Sequence, residues 1–512
     1  MLLAILSGVL TALAFPKFSF GFLAWISLVP LLVVLSGKRA GSGFRPAFAA
    51  GLVFYGILLY WIPAVPRHYA GMPFWLCLVI FLALIAFLAL YWGLFGVVFV
   101  RVRRAFPSAA FLLAPFFWIA CEYLLTHLFT GFPWGVLGTS QFENLPFIQV
   151  ASLAGVSGIS FVLLLLESTF VMALTLRKRA PFFAALGLLA LAHAWGWHEL
   201  KKASFDGPSK IRASVIQGNV SSDIYWEFAA PEQVRTLFSQ HMALTRRAAA
   251  AGSGLVIWPE FTVPLCFSCQ EDNYRALSAE LEDYVRSSGL TLLIGTNETT
   301  GPPGNLLYHN TAMALHPASS RSLYFKMHLV PFGEYTPYKR VFFFIEKLTH
   351  AIGEITPGRE PVLHEYAGFK FGSPICYEII FPGLVRSFVR RGAAFLVTIT
   401  NDGWYGTSSA PYQHWAQAVV RAVENRRYLL RAATTGISGV IDPFGRVLRR
   451  SRLMTQDVLT ETISPSERLS LYSRTGDVLP LAGLTLAALS IILALFRHRK
   501  DNPHHDRHRP LI

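Results

Sequence analysis

The chain has 512 residues, of which 53% are hydrophobic and 15% charged, and its mean hydropathy of +0.44 excludes an ordinary water-soluble enzyme. Its net charge of +15 comes without any nucleic-acid-binding motif, and much of it lies in short loops beside apolar runs, so it reads as a lipid-facing charge and no nucleic-acid partner is expected. The five cysteines include one C-x-x-C pair, Cys266 and Cys269, with no second pair or histidine at zinc spacing, so neither a metal nor a cofactor is expected.

A hydrocarbon core of ~30 Å takes about 20 apolar residues as a helix. Runs of that kind fall at about 18–36, 46–65, 74–98, 109–128, 156–176, 181–197 and 478–496, with a shorter one at 2–15, which makes eight expected spans. Ala12-Leu13-Ala14 is similar to a signal-peptidase site, but Met1-Leu2-Leu3-Ala4 lacks the basic start of a signal peptide, so the first helix is expected to be retained. Lys38, Arg39 and Arg45 follow the second run, Arg101, Arg103 and Arg104 the fourth, Arg177, Lys178 and Arg179 the sixth, and Arg497, Arg499 and Lys500 the last. The alternate loops carry chiefly Lys17 and Arg67. The positive-inside rule then puts both termini in the cytoplasm and the large polar block on the other side. Expected boundaries are a seven-helix membrane domain at 1–200, a polar domain at 201–476, an eighth helix at 477–497 and a basic cytoplasmic tail at 498–512. Glu122 and Glu167 fall inside spans, where a carboxylate is costly; each either serves function or is hydrogen-bonded between helices. Cys77 and Cys121, also in spans, read as packing residues.

The polar block alternates strands and helices. RASVIQGNV (212–220) reads as a strand, 231–251 as a helix, LVIWPE (255–260) as a strand, 273–289 as a helix stopped by Gly289, and 290–298 as a strand. FLVTITND (395–402) is a further strand, followed by a helix from about 411 to 432; TAMALHP and GVIDPFGRVL read as antiparallel strands with turns. Periodicity alone supports an α/β layered domain.

Within that block Glu260 ends LVIWPE, Lys326 lies in SLYFKMHLVPFGEY with Glu334 eight residues later, and Cys376 lies in GSPICYEIIFP, where a strand-like run meets Tyr377 and Glu378. A thiol with a pKa near ~8.5 is mostly protonated at neutral pH, so a working cysteine needs a base and a cation. Glu260 and Asn401-Asp402 end buried strands, the edge of an α/β sheet where ligands collect. A lone buried cysteine is as readily a small core residue.

Taken in order, W-P-E, K-x-H-L-V-P-F-G-E and C-Y-E resemble the Glu-Lys-Cys set of the nitrilase (carbon-nitrogen hydrolase) superfamily, and the longer motifs resemble its membrane-embedded branch, the apolipoprotein N-acyltransferases. The likeness continues through ITNDGWYG and the helix carrying Gln413, His414, Arg421, Glu424, Arg426 and Arg427. It departs at Ala433-Thr434-Thr435-Gly436, with Thr where the family is expected to carry Asn, which puts an amide contact there in question. Gly131-Phe132-Pro133-Trp134 also resembles a family motif and is expected to line lipid access.

The resemblance implies an αββα sandwich on a polytopic helical membrane domain. Glu260 is then the general base, Cys376 the nucleophile and Lys326 the oxyanion partner, helped by a backbone N–H just after the cysteine. Glu334, Tyr377, Glu378 and Asn401 would support or contact substrate; Trp226 either shares that role or is an interfacial or lid aromatic. The implied reaction moves an acyl chain from a glycerophospholipid, phosphatidylethanolamine by family habit, through a Cys376 thioester to the α-amino group of a diacylglyceryl-cysteine apolipoprotein. Carrying an acyl chain into water costs roughly 0.8 kcal/mol per methylene, which accounts for a membrane base. The expected setting is the bacterial inner membrane with a periplasmic site, and the expected assembly a monomer. Two competing readings are a membrane-anchored amidase or nitrilase that transfers acyl groups to water, and a catalytically idle scaffold or transporter. Residues 261–269 and 338–352 are candidate lids, and Cys266 with Cys269 forms either a disulfide or two apolar thiols.

Overall fold

The computed structural model describes residues 1–37, 43–202, 209–220, 231–261, 267, 272–302, 304–336 and 355–501. It forms two compact units: Met1–Tyr60 with Leu78–Glu199 and Asp477–Ile512, and Trp61–Cys77 with Leu200–Gly476. Trp226, Cys266, Cys269, both candidate lids apart from Phe261 and Phe267, and most of the basic tail lie outside the described residues.

The first unit is helical. Among the described residues, five helices are long and apolar enough to cross a membrane: Phe74–Ala105, Pro107–Thr130, Ala151–Leu176, Ala180–Lys202 and Val478–Arg497. Leu2–Leu13, Gly21–Ser36 and Phe44–Leu58 are apolar but shorter. The run expected as one helix at 18–36 is broken into a 3-10 turn, Gly21–Trp25, and a short helix, Val29–Ser36, with Pro30 in its first turn, where the missing N–H is harmless. Helices Leu2–Leu13 and Phe44–Leu58 pack closely because Gly8 has no side chain; a Cβ there would strike the Ala50 carbonyl.

Both intramembrane carboxylates tie down backbone. One Glu122 oxygen accepts from Trp118 Nε1 at 2.9 Å and from the Leu137 N–H at 2.8 Å, and one Glu167 oxygen accepts from the Leu28 N–H at 2.8 Å. Leu137 opens a 3-10 turn and Leu28 caps a helix, so each carboxylate satisfies an N–H that its own helical turn leaves unpaired. Trp134 is buried, stacked on Phe132 at 6.0 Å between ring centroids.

The described residues of the second unit form two six-stranded sheets. The strands are β1 (Ile211–Gln217), β2 (Leu255–Ile257), β3 (Thr291–Thr300), β4 (Leu307–Leu315), β5 (Arg321–Phe325), β6 (Leu363–Tyr366), β7 (Phe369–Gly372), β8 (Phe395–Thr400), β9 (Leu429–Ala433), β10 (Gly439–Ile441), β11 (Val447–Arg450) and β12 (Asp457–Ile463). One sheet runs β12-β1-β2-β3-β4-β5 and the other β11-β10-β9-β8-β7-β6. β1, β2 and β3 are parallel, as are β7, β8 and β9, while the flanking strands are antiparallel. Helices Pro231–Ala250 and Asp272–Ser288 cover the first sheet, burying Phe238, Met242 and Leu281 against Val256, Trp258, Ile294 and Met313. The inner faces meet through polar as well as apolar contacts, such as Ser438 Oγ donating to Gln217 Oε1 at 2.7 Å and Tyr324 OH donating to Glu378 at 2.7 Å.

The helix expected over 411–432 spans only Ala410–Asn425. Arg426 turns left-handed at φ 52°, and Leu429–Ala433 then pairs in parallel with β8, so the apolar run that reads as a continuing helix is a buried strand. The strand before the nucleophile candidate is also shorter than it reads. It stops at Gly372, and Cys376–Ile380 is a 3-10 turn.

Candidate active site

Five elements of the second unit bring their ends together. Glu260 lies three residues past β2, and its backbone crosses over β3 at Gly295, where a Cβ would sit 2.5 Å from the Glu260 Cα. Lys326 directly follows β5, Glu334 lies on the loop beyond it, Cys376 begins the turn after β7, and Asn401 follows β8. Cys376 itself is left-handed, with φ 49°, in a turn that projects its side chain away from the strand direction.

Lys326 is buried, and its ammonium reaches Glu334 Oε1 at 2.9 Å and Glu260 Oε1 at 3.3 Å. The Asn310 side-chain amide donates to those same two oxygens, at 2.8 Å each. The second oxygen of Glu260 accepts from the Asn401 N–H at 2.8 Å, and that of Glu334 from the Val330 N–H at 2.8 Å. Both carboxylates are thus held by fixed donors.

Glu378 joins the cysteine turn to the lysine strand. One oxygen accepts from Tyr324 OH and Met327 N at 2.7 Å and from His328 N at 3.0 Å; the other accepts from Ile375 N at 2.7 Å. Burial pushes its pKa up to about 7, against the pull of the His328 and Ile375 N–H groups, the Tyr324 hydroxyl and Lys326. Tyr377 is buried, packed on Phe381 and His328 with centroids 5.1 and 5.7 Å apart. The Asn401 side-chain oxygen accepts from Thr434 Oγ1 at 2.7 Å and from the Gly403 N–H at 3.1 Å. Thr434, the departure from the family pattern, therefore holds Asn401 through its hydroxyl.

The electrostatics follow from burial. Burial alone would lower the Lys326 pKa, but Glu260 and Glu334 outweigh it and hold the ammonium above its ordinary value. Burial pushes the Cys376 thiol up; Glu260 adds to this, Lys326 opposes it, and Asp402 raises it further. At rest the site holds a cationic lysine and a protonated thiol.

Of the residues singled out in the sequence, Glu260, Lys326, Glu334, Cys376, Tyr377, Glu378 and Asn401 meet in one region, while Trp226 lies outside the described residues. Asn310, in the strand L-Y-H-N-T-A, carries no motif of its own and was not anticipated; nothing but its pairing with two acidic residues far apart in the chain identifies it. Trp61 and Tyr69 were also unforeseen, since Trp61 falls inside the run expected as a span at 46–65 and Tyr69 in the short loop after it. Trp61 Nε1 donates to Gln413 Oε1 at 3.3 Å and Tyr69 OH donates to the Gly403 carbonyl at 3.2 Å, while their rings pack on Tyr405 and Trp404. This arm grips the loop whose Asn401 N–H holds Glu260. Among the described residues no cluster of His, Cys, Asp and Glu could hold a metal ion.

Residues 7–169 match the family profile of the apolipoprotein N-acyltransferase N-terminal domain, and residues 212–470 that of the carbon-nitrogen hydrolases. The chain is similar to the apolipoprotein N-acyltransferase of Geobacter metallireducens, with 36% identity over 98% of this chain and 96% of that protein. It is likewise similar to that of Methylococcus capsulatus, with 32% identity over 99% of this chain and 98% of the relative. Among solved structures, an amidase from Nesterenkonia sp. superposes with a TM-score of 0.38 at 22% identity, covering 50% of this chain and 91% of its own. With the carbon-nitrogen hydrolase match falling on the two-sheet unit that gathers Glu260, Lys326 and Cys376, and the relatives matching from end to end, the chain belongs to the apolipoprotein N-acyltransferase family.

Proposed function

We propose that the chain transfers an acyl group from a glycerophospholipid, phosphatidylethanolamine in the first instance, to the α-amino group of a diacylglyceryl-cysteine apolipoprotein. The observation that carries this reading is the buried Lys326, paired to Glu260 and Glu334 and facing Cys376, in a chain matched throughout by apolipoprotein N-acyltransferases. Glu260 takes the thiol proton as the sulfur attacks the ester carbonyl. Lys326 and the backbone N–H after Cys376 meet the oxyanion. The C–O bond to the glycerol breaks, Glu260 returns the proton to the leaving alkoxide, and a thioester remains. The amine attacks that thioester, its proton passes to Glu260, and the sulfur leaves and is reprotonated as the amide forms. Glu334, Glu378 and Asn401 position these groups, Tyr377 faces substrate, and Trp226 is assigned to the substrate side. An α-amino group, whose pKa in water lies near ~8, leaves an appreciable neutral fraction to attack.

The proposed arrangement has eight crossings, to which the described residues contribute five helices long and apolar enough and three shorter apolar ones, with both termini cytoplasmic and the sandwich periplasmic in a bacterial inner membrane, divided at about residues 200, 476 and 497 on hydropathy. The proposed assembly is a monomer, in keeping with Glu260, Asn310, Lys326 and Glu334 meeting within one chain.

The test is the intact mass of the purified protein after incubation with phosphatidylethanolamine alone, beside Cys376→Ser. The expected result is a hydroxylamine-sensitive acyl adduct on Cys376, discharged as N-acyl product by a diacylglyceryl peptide. Discharge to water alone would make the chain a hydrolase, and no adduct on folded, lipid-bound protein would end the proposal.

A further inference from the structure

Beneath Cys376, on the side of β8 and β9, three buried polar residues form a network to which the reaction as proposed assigns no role. His414 Nε2 lies 3.1 Å from the Cys376 carbonyl oxygen. His414 Nδ1 lies 2.9 Å from Asp402 Oδ1 and 3.1 Å from an Arg431 guanidinium nitrogen, which donates to Asp402 Oδ2 at 2.8 Å. Arg431 Nε donates to the Ile437 carbonyl at 3.1 Å, and Thr400 Oγ1 donates to Asp402 Oδ1 at 3.1 Å. Gly436 leaves room for Asp402, since a Cβ there would collide with its carboxylate.

The proton positions follow from the partners. A carbonyl oxygen only accepts, so Nε2 carries a proton and donates to Cys376. Burial, followed by the charge of Arg431, holds the ring below its ordinary pKa against the pull of Asp402 and the Cys376 carbonyl, and Nδ1 sits between the Asp402 carboxylate and the Arg431 guanidinium. Burial would raise Asp402, but Arg431 and His414 outweigh it and hold it down at about 2. Asp402 is therefore a fixed anion that orients Arg431 and the Thr400 hydroxyl, and Thr400 in turn lies in hydrogen-bond contact with the Cys376 thiol.

The peptide after Cys376 is planar, with its C=O and the Tyr377 N–H pointing in opposite directions. Whatever holds the carbonyl therefore aims the N–H. Cys376 opens the 3-10 turn Cys376–Ile380 but is itself left-handed, off the helical dihedrals, so its peptide is not oriented by the turn alone and His414 anchors the carbonyl from outside it. We propose that His414, oriented by Asp402 and Arg431, is a positioning residue that fixes the Cys376–Tyr377 peptide and so aims the Tyr377 N–H at the oxyanion. This rests on the acyl-transfer reading of the site. Its specific consequence is that attack on a carbonyl depends on His414, which touches the Cys376 carbonyl, while the reactivity of the thiol toward displacement does not depend on that residue.

Two reactions of the full-length protein in detergent separate these properties. Acylation of Cys376 by phosphatidylethanolamine builds an oxyanion. Alkylation of Cys376 by iodoacetamide, located by peptide mass spectrometry, is a displacement at carbon that builds none. Loss of one oxyanion donor costs roughly 10²-fold in rate, so His414→Asn, whose amide is too short to reach the carbonyl, is expected to slow acylation by about that factor. Alkylation is expected to stay within about threefold of wild type, and His414→Gln, which places a donor near the position of Nε2, to recover most of the acylation rate. An equal fall in both reactions would reduce the network to a structural support, and unchanged acylation in His414→Asn would remove it from the reaction; either result overturns the proposal. If wild type takes no acyl group from the phospholipid, the proposed function fails instead. The same comparison is then made with 4-nitrophenyl butyrate, whose attack creates the same oxyanion, and the two variants decide as before.

Discussion

Asn310→Asp is the most informative single change in the site. It preserves shape and replaces one N–H donor group by an oxygen. In the structure that group lies 2.8 Å from Glu260 Oε1 and 2.8 Å from Glu334 Oε1. Three carboxylates would then share one cation, Lys326. Two unit charges about 3 Å apart repel by roughly 5 kcal/mol at an effective dielectric constant of 20, or about 4 pKa units per pair. They cannot all ionise, so the cluster retains a proton well above neutral pH, and Glu260 no longer serves as a base there. The charged and titratable groups facing Glu260 are Lys326, Glu334, Cys376 and Tyr405, and none can supply a compensating cation. The assay is the single-turnover rate of Cys376 acylation from pH 5 to 10. The acid limb should move up by at least about 2 units, with about a 10²-fold loss at pH 7. Asn310→Ala, which removes two donors and adds no charge, should move it by about 1 unit. A variant whose profile lies over that of wild type, or falls by one factor at every pH, would refute the reasoning.

Three further outcomes follow from the geometry. Gly295→Ala places a Cβ 2.5 Å from the Glu260 Cα, a backbone atom that cannot swing aside, so it should cost about 2–3 kcal/mol in stability and most of the acylation rate; unchanged melting would contradict the close approach. Because burial raises the Cys376 thiol, its alkylation by iodoacetamide should keep climbing through pH 9, whereas a plateau near pH 7 would reveal a preformed thiolate. Glu122→Gln keeps an oxygen for Trp118 and Leu137 and should be nearly silent, while Glu122→Leu strands both donors and should cost about 2–4 kcal/mol; acylation lost in Glu122→Gln with normal melting would instead give that carboxylate a functional role.

What the sequence revealed and what it hid have physical causes. Glu260 and Lys326 stood out because each ends a strongly apolar strand with a charge that such a segment does not otherwise tolerate, while Cys376, an ordinary core residue by itself, stood out through the C-Y-E motif and the specific order of the three. The sandwich was legible in its parallel halves, where buried strands alternate with amphipathic helices. β9 was not, because Leu429 to Ala433 continues the apolar character of the preceding helix and only Arg426, in the left-handed region, breaks it. Asn310 escaped because a donor between two carboxylates is defined by chain closure over dozens of residues. The Trp61–Cys77 arm escaped because it is apolar for a reason hydropathy cannot separate from lipid: it packs on Trp404 and Tyr405.

The charges in the site account for a cysteine that is not pre-ionised. Glu260 and Glu334 with Lys326 leave one net negative charge before the thiol is considered, and a thiolate would add a second beside buried Glu260 and Lys326. Holding that second charge at rest is what the raised thiol pKa opposes. In the mechanism proposed above, the thiol proton moves to Glu260 as the sulfur attacks and the negative charge moves to the carbonyl oxygen, so the total stays at one. The charge crosses from one side of Lys326 to the other, and the lysine needs no movement to follow it, since Glu334 keeps it in place throughout. The buried site therefore penalises the separate thiolate far more than the transition state. A thiol of high pKa next to a fixed carboxylate is, on this account, the arrangement that favours acyl transfer over idle reactivity in an enzyme that must wait for a lipid.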